Sequence, residues 1–383
     1  MTEAIVVGGG LAGIAAAVAV AQAGLQTLHV APKGAPDRRT SALMLPSVAY
    51  LEAAGLIGDP ADLGTALTQI RIIDATGRLI RSPETLFDSS EAGLPAFGWN
   101  FANVRLLAEF EAAKAKLGNI ETVDSTVVDI ERVADGWRLS LGNGDTCTAP
   151  FLVGSDGKKS FIRSAAGFRS RESGFTQAAL VADLELARPL VGASVEFHYP
   201  QGPFTLVPAG GTRANLVWID DREALRALQA EGSDALRAAV LSKSQHLFGD
   251  IRLLTPAHMF LLSTLSVPEA GHDGVVLAGE AAHAFPPIGA QGLNLGLRDV
   301  ADLAAALKET NRSEADWARK ASERYSQRRA ADLVRTGGVV DTLFRSLLSD
   351  LLPAQAARAG GLWALKLLPP LRKQAFGLGM GSR

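Results

Sequence analysis

One cysteine, Cys147, in 383 residues excludes an internal disulfide framework and a cysteine-based metal centre. The six histidines (His29, His198, His246, His258, His272 and His283) include no pair at the spacing of a zinc site, so no metal is expected. An excess of either charge is missing too: 38 Lys plus Arg face 40 Asp plus Glu, for a net charge of −2, and no nucleic-acid partner is expected. Long apolar runs are absent, since the stretch from Ile5 to Ala23 is broken by Gly8, Gly9, Gly10 and Gly13. No basic segment precedes it, so neither a spanning helix nor a secretory leader is expected, and the reading is cytoplasmic. Repeats and low-complexity tracts are also lacking. What remains is a chain with 47% apolar and 20% charged residues, the balance of a folded protein. Its length suits two domains, or one domain with a large insertion.

The first patterned segment is Ala4 to Val7, a β-branched apolar run suited to a central parallel strand. It leads into Gly8-Gly9-Gly10-Leu11-Ala12-Gly13 and then a small-residue helix that stops at Gly24. This is G-x-G-x-x-G between a strand and a helix, the arrangement that binds a dinucleotide. Gly8 permits the tight turn, Gly10 the approach of a pyrophosphate, and Gly13 close packing of helix on strand. An acid is expected at the end of the second strand, Leu25 to Val30, but Ala31 stands there. Asp37 is too far along to replace it.

Two later segments bear on which dinucleotide is bound. Asp156-Gly157 follows an apolar strand end and precedes Ser160 and Arg163 on a new helix. Alone, this pair also reads as an ordinary capped turn. The segment Gly279-Glu280-Ala281-Ala282-His283 ends a buried strand, and Pro286-Pro287-Ile288-Gly289-Ala290-Gln291-Gly292-Leu293-Asn294 follows. The prolines fix an extended path, the glycines let it approach a flat ligand, and a helix beginning near Gly292 would aim its positive end at an anionic ring edge.

These motifs, in this order, resemble the aromatic-ring flavoprotein monooxygenases, the single-component FAD hydroxylases that include para-hydroxybenzoate hydroxylase. Within that group the chain is most similar to the ubiquinone-biosynthesis hydroxylases of alphaproteobacterial type. Asp37-Arg38-Arg39-Thr40-Ser41-Ala42-Leu43, Gly98-Trp99-Asn100-Phe101-Ala102-Asn103 and Gly202-Pro203-Phe204-Thr205-Leu206-Val207-Pro208 support that likeness. It implies an α/β fold: a Rossmann-like FAD-binding domain from 1–75, 98–172 and 270–330, an inserted mixed β-sheet substrate domain from 76–97 and 173–269, and a C-terminal helical segment from 331–383. It implies FAD as cofactor, NADPH or NADH as reductant, and O2 as co-substrate. The resemblance implies that oxygen would add at the flavin C4a carbon of the reduced cofactor and that the hydroperoxide would transfer an OH to an electron-rich phenol ring.

The resemblance assigns Gly8, Gly10 and Gly13 to the ADP half of FAD, Arg39 to the flavin side, and Arg105 to the pyrophosphate. Asp156 and Gly157 match the family's Asp-Gly pair. Glu280 stands where the family has Asp on the ribityl hydroxyls. Gly289, Gly292, Leu293 and Asn294 belong to the isoalloxazine, and Pro287 and Gly289 position the reacting ring without an acid or base being assigned. His283 could be a base but reads more naturally as a structural turn histidine.

The alternating strands between residues 176 and 268 carry one polar helix, Arg222 to Leu241, and offer Phe204, Leu206 and Trp218, with Pro287, as walls around a substrate, although such an aromatic is more often ordinary core. From Leu343 to Arg383 the chain has a net charge of +5 and holds Leu347, Leu348, Leu351, Leu352, Leu362, Trp363, Leu365, Leu367 and Leu368, a basic, leucine-rich amphipathic stretch. Such a segment can lie on an anionic bilayer at the inner face of the cytoplasmic membrane, or cap the FAD domain. The activity implied is ring hydroxylation of a polyprenylated phenol, in contact with other ubiquinone-biosynthesis proteins. Alternatives are a small soluble phenol as substrate, an NAD-dependent dehydrogenase, which leaves residues 286–296 without purpose, and a flavin-binding accessory protein of a quinone-synthesis complex.

Overall fold

A computed structural model describes residues 1–34, 36–78, 81–287, 289–348, 352–367 and 371–372. Ile288, Asp350, Lys373 and the remainder of the basic tail to Arg383 lie outside the described residues.

The apolar runs without polar alternation become one six-stranded sheet. Its order is Gly271–His272, Val275–Leu277, Phe151–Gly154, Ala4–Val7, Thr27–Val30 and Ile120–Val123, parallel except for the first strand. Strands buried on both faces need a cover on each side. One cover includes the alanine-rich helix Leu11–Gln22, which packs against Gln291–Glu309 and Asn103–Ala115. A three-stranded antiparallel sheet of Val127–Val133, Gly136–Leu141 and Thr146–Ala149 adjoins this domain.

Segments that do alternate form the larger mixed sheet. It runs His283–Ala284, His258–Ser266, Arg171–Leu186, Arg213–Asp221, Gly202–Pro208, Ala193–Tyr199, Gln69–Asp74 and Thr85–Asp88, with Ile251–Leu253 paired to Arg171–Leu186. Two of these strands, Gln69–Asp74 and His283–Ala284, fall in stretches that the sequence division gives to the FAD domain. Ala193–Tyr199 takes Gln69–Asp74 as a parallel neighbour, so the sheet recruits chain from before its own insertion. The boundary at 330 also shifts, because it falls inside the helix Trp317–Leu348. The expected single helix from Arg222 is two, Arg222–Ala230 and Ser233–Lys243, parted at Gly232, where φ is +99°. A positive φ there suits glycine and ends the first helix.

A small sheet of Thr40–Met44, Gly98–Ala102 and Gly64–Leu67 joins the domains. Asn100 on its middle strand donates to the Pro208 carbonyl (3.0 Å) and to Asn215 Oδ1 (2.7 Å), and Asn215 donates to Asp183 Oδ1 (2.6 Å).

Candidate active site

The three motif turns meet at one place, and the glycines explain how. At Gly8, φ is +132°, and a Cβ would stand 2.1 Å from the Ser155 carbonyl oxygen. At Gly13 a Cβ would stand 2.0 Å from the Gly8 carbonyl oxygen. Gly279, with φ +62°, brings the third turn so near the first helix that a Cβ would lie 3.0 Å from the Ala12 Cβ. Gly10 differs: a Cβ there would meet nothing within 4 Å, and both Gly9 and Gly10 are exposed. The turn is therefore packed tightly behind and open in front, at the positive end of a twelve-residue helix. That open, amide-lined front fits the diphosphate of FAD.

Asp156 accepts hydrogen bonds from Ser160 Oγ (2.5 Å) and from the amides of Phe161 (2.7 Å) and Ile162 (3.1 Å). It caps the helix Phe161–Ala165, so the ordinary capped-turn reading describes its contacts in this structure. Arg163, on that helix, does more than the sequence suggests. Buried, it donates to the carbonyls of Ala281 (3.0 Å) and Lys158 (2.9 Å), tying the Asp156-Gly157 loop to the Glu280 turn.

Arg39 and Glu280, 241 positions apart, come within electrostatic range of each other. The Arg39 guanidinium is bonded to Asp37 (2.8 and 2.9 Å) and is held above its ordinary pKa first by that bond, with Glu280 contributing. Burial opposes the charge on Asp37, yet Arg39 and Asn103 outweigh it and hold the carboxyl below its usual range. Glu280 itself is exposed, with its carboxylate available to a ligand.

Asn294 is buried and fully occupied by protein. It donates to the carbonyls of Ala42 (2.9 Å) and Ala290 (2.6 Å) and accepts from the Met44 amide (2.8 Å). This clamps Thr40–Met44 to the start of helix Gln291–Glu309. Pro287, Gly289 and Gly292 are exposed in the approach to that helix, and Leu293 is half-buried. Gly289 has φ +62° and Ala290 has φ +54°.

The remaining candidates have partners within the protein. Arg105 donates to the carbonyls of Leu63 (3.1 Å) and Asp62 (2.7 Å), closing the helix Pro60–Leu63. Phe204, Leu206 and Trp218 lie on the face of the large sheet that packs under Leu225, Leu236 and Val240 of the two surface helices. They are core residues, and the reason is register: the period of two sends them to the helix-covered face. The other face carries Ala179, Ile219 and Leu262, with Phe175 packed against them and Phe260 exposed beside Ala179.

His283 is wholly buried, with Nε2 2.6 Å from Asp299 Oδ2, which also accepts from the Gly279 amide (2.8 Å). Arg329 Nε stands 2.7 Å from Asp299 Oδ1, and its Nη1 reaches Asp302 (2.9 Å) and Asp332 (2.7 Å). The Asp299 carboxyl is disfavoured by burial, but His283 and Arg329 prevail and keep it below its ordinary pKa. None of these acids was legible as part of the site. The signal was present, though: an Asp recurring at 299 and 302 on an otherwise apolar helix face asks for a buried cation.

Known proteins resemble this chain in sequence and in fold. A family model described as an FAD binding domain matches residues 1–336. The chain is similar to ubiquinone hydroxylase UbiL of Rhodospirillum rubrum, 28% identical over 394 aligned residues that cover 100% of this chain and 90% of that protein. It is 27% identical to 3-demethoxyubiquinol 3-hydroxylase of Escherichia coli, covering 99% of this chain and 98% of that one. Among solved structures, p-nitrophenol 4-monooxygenase PnpA of Pseudomonas putida shares the fold, with a TM-score of 0.80 at 21% identity over 100% of this chain and 99% of the other. The glycine cradle and a match that spans most of the sequence place the chain in the FAD binding domain family, as a flavin-dependent monooxygenase with FAD as its cofactor.

Proposed function

We propose that the enzyme hydroxylates the aromatic ring of a polyprenylated phenol on the way to ubiquinone. Two observations support this reading: a flavin cradle built from three turns, and, on the sheet face turned away from the surface helices, the apolar residues Ala179, Ile219 and Leu262 with Phe260 exposed beside them. The two full-length relatives whose names specify ubiquinone or demethoxyubiquinol chemistry support the choice of substrate class.

FAD, reduced by NADPH or NADH, would supply the activation of O2, one atom of which goes to the ring and the other to water. The rest falls to the chain. Gly8, Gly10 and Gly13 hold the diphosphate against the first helix, and Gly157 shapes the adjoining loop. Glu280 accepts from the ribityl hydroxyls, with Arg39 as its counter-charge. The helix beginning at Gln291 would offer its amide end to the electron-rich edge of bound flavin, where that dipole would stabilise negative charge. Pro287 and Gly289 form the ledge against which the phenol ring is positioned. Arg105 holds the Pro60–Leu63 turn through the carbonyls of Asp62 and Leu63.

A route for a lipid substrate is offered by the helix Leu352–Leu367. Leu362 and Leu365 dock against Phe87 and Phe97 at the sheet edge, and Lys366 and Arg372 donate to the carbonyls of Glu84 and Leu86. Trp363 and Leu367 remain exposed, with Leu371 beyond them. We read this as a helix that caps the substrate domain while presenting apolar side chains to a membrane surface. Among the described residues no helix is long and apolar enough to cross a membrane.

The test is product formation. Purified enzyme with FAD, NADPH and a series of prenylphenols should consume NADPH in a phenol-dependent manner and yield hydroxylated phenol. Turnover of short soluble phenols alone would redirect the assignment of substrate.

A further inference from the structure

His29 is buried in the strand Thr27–Val30, between Val6 and Thr122 on the neighbouring strands, where an unsatisfied imidazole would be costly. Both ring nitrogens have partners. Nε2 lies 2.9 Å from the Gly8 carbonyl oxygen, and Nδ1 lies 3.3 Å from Nζ of Lys114 on the helix Asn103–Ala115. Lys114 is itself nearly buried and pairs with Glu111 (2.7 Å). A carbonyl can only accept and an ammonium can only donate, so the ring is neutral and carries its proton on Nε2. Burial lowers its pKa below the ordinary value; the Gly8 bond and Glu111 oppose that, and Lys114 adds to it. The first strand and first helix bring no charged group to the ring, and Thr122 is the neighbour from the far strand.

The Gly8 carbonyl and the Gly9 amide are two ends of one peptide unit. Gly13 crowds that carbonyl from the helix side, Val30 takes the Gly8 amide (2.9 Å), and His29 meets the oxygen from below. Just past the end of that strand, Ala31 packs under Gly9, where an added Cβ would come 3.3 Å from its own. The strand that lacks a terminal acid thus touches the same peptide unit twice.

We propose that His29 is a positioning residue for FAD: a neutral histidine, locked in one tautomer by Lys114, that orients and polarises the Gly8–Gly9 peptide facing the cofactor diphosphate. A hydrogen bond to the carbonyl end strengthens the donor at the amide end of the same unit. The inference rests on the FAD assignment and is independent of the substrate.

Titration of apoprotein with FAD, followed by flavin fluorescence, tests it. His29→Leu should raise the Kd about tenfold or more, the size of one lost buried hydrogen bond. His29→Gln, which keeps a donor near the Nε2 position, should stay within about threefold, and Lys114→Met should fall between the two. An unchanged Kd for His29→Leu, or an equal loss in His29→Gln, would overturn the proposal. Should His29→Leu fail to fold, nitrogen-15 NMR of histidine-labelled wild-type protein decides: a neutral ring protonated on Nε2 is expected, and a proton on Nδ1 or a charged ring contradicts it.

Discussion

Arg329 and Asp299 face each other across 2.7 Å in the interior, from two different helices, and neither has measurable contact with solvent. The pair binds Trp317–Leu348 to Gln291–Glu309 and, through the Asp299 bond to the Gly279 amide, reaches the turn that carries Glu280. A long helix remote in sequence from the glycine motifs thereby sets the position of a flavin-site segment.

Arg329→Met should leave Asp299, Asp302 and Asp332 without their shared cation. Breaking a buried pair from one side costs about 3–5 kcal/mol. Urea denaturation should show that loss, and FAD should bind more weakly because the Gly279 turn loosens. A variant as stable as wild type would mean that His283 beside Asp299 and Arg298 beside Asp332 already suffice to balance these acids.

The glycines separate folding from cofactor binding. Gly10→Ala adds a methyl group to open space, so its melting temperature should match wild type while FAD binding is lost or weakened at least about tenfold, the diphosphate being displaced. Gly13→Ala forces a Cβ onto the Gly8 carbonyl and should damage both. Equal effects from the two substitutions would argue against a cradle that is open in front.

Acid should destabilise the protein in two windows. His29 resists protonation in the folded state, whereas the unfolded chain takes up that proton below a pKa of about 6.5. The unfolded state then binds more protons, and stability falls as the pH drops from neutral toward 5. Asp299 and Asp332 have depressed pKa values, so their contribution is present above the unfolded value near 4 and is lost as the pH falls through the folded one. His29→Gln should remove the first window and leave the second, measurable by chemical denaturation across pH.

The sheet domain was the hardest part to read. Glycine turns are local, so the strand-turn-helix at Ala4–Gln22 and the helix start at Gln291 were legible from residues that act on their immediate neighbours. Which face of a strand meets the cofactor is decided by pairing register, which sequence alternation cannot reveal when both faces are apolar. Phe204, Leu206 and Trp218 alternate correctly but look toward the helices Arg222–Ala230 and Ser233–Lys243. Asp156 shows a different limit: the Asp-Gly pair was visible, but its binding to Ser160 and the following amides depends on where the helix begins.

Phe204→Ala should therefore cost about 3–5 kcal/mol in stability with little selective change in KM. Ile219→Ala, on the opposite face, should change KM for a prenylphenol more than it changes stability. The reverse pattern, read from melts and steady-state kinetics on the same preparations, would return the substrate to the helix-covered face.

The most direct test of the whole account follows the oxygen atom. Enzyme carrying FAD is supplied with NADPH, a polyprenylphenol and isotopically labelled O2, and the phenol is analysed by mass spectrometry. The account predicts phenol-dependent NADPH oxidation and incorporation of one labelled oxygen atom on the aromatic ring. NADPH oxidation that yields only hydrogen peroxide across the prenylphenol series, with no label in any ring, would contradict it.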